Sequence, residues 1–232
     1  SMDSRLKLLP VRLIFLLPVV WAMVSCGGSG GGTNSEPISL SGSSSGASLI
    51  TVSFSGKLAQ AYVVNATIIA DKIETDSSTG NCKIDDGEIT TTSNSTGDFN
   101  LSVNYDNYVI CTTGGRKQKS DGSWEDAAPM MTPAPTSTSS EWNVTPLTTL
   151  VTTQPDLKNE LDKLGGWNAD IASSQGVPSQ LLRVAKTVET FWKVSKELIT
   201  DNKKQLDSIN KLANYTYFHF LLGIKYKFLY DK

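Results

Sequence analysis

The chain has 232 residues, 39% hydrophobic and 19% charged, which is enough apolar side chain for a packed core and too much for wholesale disorder. Its 21 Lys and Arg against 23 Asp and Glu leave a formal net charge of −2, so it carries no electrostatic footprint for nucleic acid. The lone histidine, His219, excludes multi-histidine metal sites.

Residues 1–25 read as an export leader. Arg5, Lys7 and Arg12 precede the uncharged run Leu13 to Ser25, and Cys26-Gly27-Gly28 follow. A basic start, an apolar stretch too short to span a bilayer and small residues at its end mark a secretory signal peptide. The tetrapeptide Met23-Val24-Ser25-Cys26 resembles the lipobox of bacterial lipoproteins, in which the cysteine is acylated and becomes the new N-terminus. That resemblance implies lipidation at Cys26, with palmitate among the acyl chains. With Gly27 rather than Asp next, it also implies an exported protein held at the outer membrane, on the periplasmic face or the cell surface. Two or more acyl chains anchor a protein stably where one does not. Residues 26–47, rich in Gly and Ser, read as a flexible tether.

From residue 48 to 145 short apolar runs alternate with Gly, Asn, Asp and Ser clusters, the grammar of an antiparallel β-sandwich. Strands are expected over Leu49 to Phe54, Ala61 to Ala70, Glu88 to Ser93, Phe99 to Val103 and Tyr108 to Thr112. In the fourth, strict alternation puts Phe99, Leu101 and Val103 on one buried face. Cys82 and Cys111 are the only thiols left once Cys26 is lipidated, so an exported domain is expected to pair them as a disulfide. A metal pair and a redox pair are the other readings, the first lacking histidine partners and the second C-x-x-C spacing.

The order GKLAQAYVVNATIIAD (56–71), NCKIDDGE (81–88), TTSNSTGDFNL (91–101), APMMTPAP (128–135) and VTPLTTLV (144–151) resembles bacterial surface and envelope proteins with a carboxypeptidase-regulatory-like domain, a prealbumin-type, immunoglobulin-like β-sandwich. The resemblance implies structural, adhesive or accessory roles without catalysis. It also brings a calcium loop of the form DxNxNGxxDxGE, onto which Asn81, Asp85 and Glu88 fall at positions five, nine and twelve. Positions one and three are Ser77 and Thr79, and the turn glycine is Cys82, so only weak calcium binding is expected, with Asp76, Asp86 or Asp71 as substitute ligands.

Residues 146–214 read as helical. Thr145-Pro146 is a helix start. Asp156 to Leu164 offers a second helix stopped at Gly165-Gly166, and Pro178 to Thr200 a third with a stripe of Leu181, Val184, Val188, Phe191, Val194 and Leu198, widened by Leu182, Ala185 and Trp192. Asp201 is placed to cap a fourth carrying Leu206, Ile209 and Leu212. Residues 215–232 are rich in aromatics. Tyr215, Tyr217, Phe218, Phe220, Tyr226 and Phe228 fit a hairpin, a partner-binding strand or a continuation of the helix. Whichever forms, an exposed aromatic end is a candidate partner surface.

The fold class expected is thus α+β, an antiparallel β-sandwich domain followed by a small helical region. The function expected is that of an outer-membrane lipoprotein with a non-catalytic binding, adhesive or structural role toward an envelope protein or polysaccharide. The alternative is an accessory subunit of an envelope enzyme system.

Overall fold

The computed structural model describes residues 50–173 and 175–230, without the side chains of Asn202, Lys203 and 221–230. The expected leader, tether and Cys26 lie outside the described residues. Among the described residues seven strands precede four helices: β1 Val52–Lys57, β2 Val63–Lys72, β3 Thr90–Thr92, β4 Asp98–Val103, β5 Tyr108–Gln118, β6 Trp124–Asp126, β7 Met130–Pro133, α1 Pro146–Thr153, α2 Leu157–Leu164, α3 Ser179–Leu198 and α4 Asn202–Tyr230. The protein is α+β, with two antiparallel sheets in a sandwich-like arrangement.

The smaller sheet pairs β1 with β4, and the larger runs β3-β2-β5-β6, with β7 also on β5. Between them lies the first core: Phe54, Phe99, Leu101 and Val103 face Ala66, Ile68, Tyr108 and Ile110. The alternation read in β4 holds, since Phe99, Leu101 and Val103 are buried while Asn100 and Ser102 are exposed. Phe54 meets Phe99 edge-to-face, ring centres 6.2 Å apart.

The larger sheet is covered on its other face too. Residues Tyr108 to Thr112 of β5 are all buried, as a strand sandwiched between two layers requires. Cys111, Met131 and Ala128 pack on Trp192 of α3 and on Leu206 and Ile209 of α4. A third cluster joins the helices to one another through Leu147, Leu150, Leu157, Leu161, Leu181, Val188 and Ala213. Trp142 touches both the sandwich core and this helical core, and its ring stands edge-on to Trp167 at 5.5 Å.

Helix α1 is fixed at its start by a reciprocal cap. The Thr145 hydroxyl accepts from the Leu147 and Thr148 amides, and the Thr148 hydroxyl accepts from the Thr145 amide. The same helix is stitched to β7, because Thr148 donates to the Met131 carbonyl at 2.6 Å and the Met131 amide donates to Thr149 at 3.0 Å.

Two expectations need correcting, and a third was open between alternatives. The strands are lengthened or shifted relative to the apolar runs, except β3, which is shorter than the expected Glu88 to Ser93; β1 ends at Lys57 and β5 continues to Gln118, because ladder pairing with β4, β2 and β6 extends them past their hydrophobic residues. On α3 the buried face is Leu181, Ala185, Val188 and Trp192 with Glu189 and Ser195, whereas Val194 and Leu198 are exposed. The stripe is therefore rotated toward Trp192, whose large ring fills the space over the sheet. Of the three readings of the aromatic end, the structure has the helix continuation and not the hairpin or strand, since α4 runs unbroken through Tyr230. Among the described residues no helix is long and apolar enough to cross a membrane.

Candidate functional site

A polar cleft of about 660 Å3 opens where the small sheet meets the chain entering α1 and the turn after α2. The strands contribute Lys57 from β1 and Asp98 and Asn100 from β4, while Ser140, Glu141, Asn143, Asn168 and Asp170 close the other side. The segment that supplies Ser140 to Asn143 runs alongside β1: the Ser55 amide donates to the Ser139 carbonyl and the Val144 amide to the Lys57 carbonyl, both at 2.9 Å. A Cβ at position 56 would collide with the Trp142 carbonyl, so Gly56 is what lets that segment lie so close.

Two amides hold the walls in register. Asn143 accepts from the Lys57 amide at 2.9 Å and donates to the Asn168 carbonyl at 2.8 Å, while Asn168 accepts from the Asn143 amide and donates to the Glu141 carbonyl. Lys57 pairs with Asp98 at 2.6 Å and lies over the Tyr62 ring at 4.9 Å. The Lys57 ammonium and the Thr96 hydroxyl hold the Asp98 carboxyl below the usual carboxylate range. Burial, with the bond donated to Asp170 at 2.8 Å, pushes the Tyr62 hydroxyl up to about 12. Asn100 and Glu141 are exposed, and their side chains make no hydrogen bond among the described residues. None of this cleft was singled out from the sequence, and only the clustering of Asn, Ser and Asp around turns hinted at it.

The residues that were singled out occupy two other places. Cys82 and Cys111 stand as a disulfide pair, Cα atoms 5.6 Å apart. Asp85 and Glu88 are bound up within their own loop. Asn81 donates to Asp85 at 2.7 Å, the Asp85 amide donates to Glu88, and the other Glu88 oxygen accepts from the Lys72 amide at 2.7 Å. Asp76 is exposed, with a left-handed backbone. Among the described residues Asp76, Asp85 and Glu88 do not assemble into a ligand set. The three acidic or thiol side chains that do are Asp71, Cys82 and Cys111, with ligand atoms all within 4.8 Å of one another.

The aromatic end divides. Tyr217 and Phe220 pack on the helical core, whereas Tyr215 is 67% and Phe218 62% exposed. An apolar groove of about 770 Å3 runs between α3 and α4, lined by Val184, Val188, Leu212, Tyr215 and Phe220. The side chains of Tyr226 and Phe228 lie outside the described residues.

Compared with known proteins, the chain matches no family model, no curated protein and no solved structure.

Proposed function

We propose that the protein is a non-catalytic binding module, held at the outer membrane by a lipid on Cys26, and that the polar cleft grips a hydroxyl-rich ligand, an envelope or extracellular polysaccharide. The observation that carries this reading is the cleft itself. An ammonium, carboxylates and amides line a space of about 660 Å3, and two of its amides are spent on keeping the walls in place. Sugar hydroxyls both donate and accept. Asp98 and Glu141 supply acceptors, Lys57 a donor and Asn100 both. Glycoside cleavage needs one carboxyl raised to serve as an acid. Asp98 moves the opposite way under the influence of Lys57, which suits a hydrogen-bond acceptor and not a proton donor.

The test is affinity electrophoresis of the full chain in gels cast with purified envelope polysaccharides, beside Asn100→Ala and Glu141→Ala. Wild type is expected to be retarded and both variants to weaken by tenfold or more at unchanged melting temperature. Equal migration of all three proteins in every gel ends the cleft assignment. Cys26→Ser, expressed with the leader, is expected to lose palmitate labelling, and retention of the label ends the anchor assignment.

A further inference from the structure

The second cluster stands apart from the polar cleft and has a different chemistry. Asp71 sits on β2 with 1% of its surface exposed, an unusual place for a carboxylate. One of its oxygens accepts from the Cys82 amide at 2.8 Å, and the other is buried with no hydrogen-bond partner among the described residues. A Cβ at position 80 would collide with this carboxylate, so Gly80 leaves the space it fills. In the ladder, Ile69 of β2 lies opposite Cys111 of β5, and Asp71 is two residues farther along β2. Period-two alternation therefore puts Asp71 and Cys111 on one face of the sheet. Cys82 arrives from the loop above with a left-handed backbone, φ 58°. It is half-buried and forms part of the wall of a cleft of about 630 Å3 that also includes Trp192 and Leu206.

We propose that Asp71, Cys82 and Cys111 form a zinc site that exists only when the disulfide is open, with the cleft beside Cys82 admitting the metal and supplying water as fourth ligand. Thiolate and carboxylate ligands at about 2.3 and 2.0–2.2 Å from a tetrahedral Zn2+ stand roughly 3.6–3.8 Å from one another. The three ligand atoms already lie within 4.8 Å, so opening the S–S bond and rotating the half-exposed Cys82 side chain bring them to that spacing. The unpartnered Asp71 oxygen gains the cation that its burial calls for. The chemistry balances. A dithiol reductant passes two electrons and two protons to the disulfide and is itself oxidised to a disulfide. The two protein thiols then release those two protons as they bind Zn2+. Metal occupancy thereby reports the thiol state of the domain.

The experiment uses the full chain, oxidised or reduced with a phosphine that does not itself compete for metal, and titrated with Co2+ as a spectroscopic stand-in for Zn2+. The reduced protein is expected to develop thiolate-to-cobalt charge-transfer and tetrahedral bands that saturate at one equivalent and are abolished by Zn2+. The oxidised protein is expected to show none. Asp71→Asn should weaken competitive Zn2+ binding by at least about tenfold, the lower end of what losing even an outer-shell partner costs. Cys82→Ser should lose the charge-transfer band with the fold kept by circular dichroism. X-ray absorption of the zinc-loaded wild type, which needs no variant, is expected to find two sulfur neighbours with oxygen completing the shell. Absence of the bands, an all-sulfur or all-oxygen shell, or unchanged affinity in Asp71→Asn overturns the proposal.

Discussion

At the scale of single residues, Asp71 is the side chain most at odds with its surroundings. Burial, with Glu88 and Asp85 nearby, pushes its carboxyl from 3.8 up to about 6, while the Cys82 and Asn81 amides pull the other way. A carboxyl raised in the folded state binds its proton more tightly there than in the unfolded chain. Its contribution is therefore fully present below about pH 4 and is lost as the pH rises through 6, by ~3 kcal/mol in all. In the oxidised, metal-free protein Asp71→Asn removes that dependence. The stability difference between variant and wild type in urea should therefore shift by ~2–3 kcal/mol in favour of the variant between pH 4 and pH 7. A difference that stays constant over that range would show that the Asp71 proton is not coupled to folding. The sequence placed Asp71 only as a substitute ligand in an acidic loop. Its burial depends on the loop over 76–89 closing on β2, a tertiary event that no local pattern records.

At the scale of elements, what was legible followed from strong local rules and what was not depended on partners. Strict alternation gave β4 its buried face, Thr145-Pro146 gave α1 its start, and Gly165 ends α2 with a positive φ of 133°. Strands β6 and β7 are three and four residues long and went unread, since both form by adding to β5 and one ends in a proline. The aromatic end stays open at the level of sequence because alternating rings suit a strand face and a helix equally well, and the helix running from Asn202 carries through it with no proline to stop it. Its rings now separate into two classes that substitution can tell apart. Tyr217→Ala and Phe220→Ala remove contacts with the helical core and should each cost about 1–3 kcal/mol in urea unfolding, less than a fully buried ring because both are only partly covered. Tyr215→Ala and Phe218→Ala, at exposed positions, should stay within about 0.5 kcal/mol of wild type. The reverse ranking would mean that α4 docks on α3 through its other face.

At the scale of the whole molecule, the helices do more than cap a finished sandwich, for they cover the second face of the larger sheet. A buried charge cluster marks that junction. Lys117 of β5 is 4% and Glu189 of α3 is 5% exposed, and the two form an ion pair. Glu125 of β6 lies 3.5 Å from Lys117 and 3.0 Å from Lys193, and the bond from Lys193, with Lys117 close by, holds the Glu125 carboxyl below its ordinary range. In the central pair the β-strand supplies the cation and the helix the carboxylate. A buried ammonium deprived of its carboxylate is expensive, while replacing both partners with apolar groups of similar size is often close to neutral. Glu189→Gln should therefore destabilise the protein by about 2–4 kcal/mol, softened by the remaining Glu125, whereas Lys117→Met combined with Glu189→Leu should recover most of that loss. Because α3 and the sheet share this junction and the packing of Trp192 on Cys111 and Met131, the described unit should unfold in one transition followed alike by tryptophan fluorescence and far-ultraviolet circular dichroism. The Glu189→Gln variant should move both signals together to lower denaturant. If the fluorescence moved alone, the helical layer would be parting from a sandwich that remains folded, and the junction would be a docking contact between two independently stable parts.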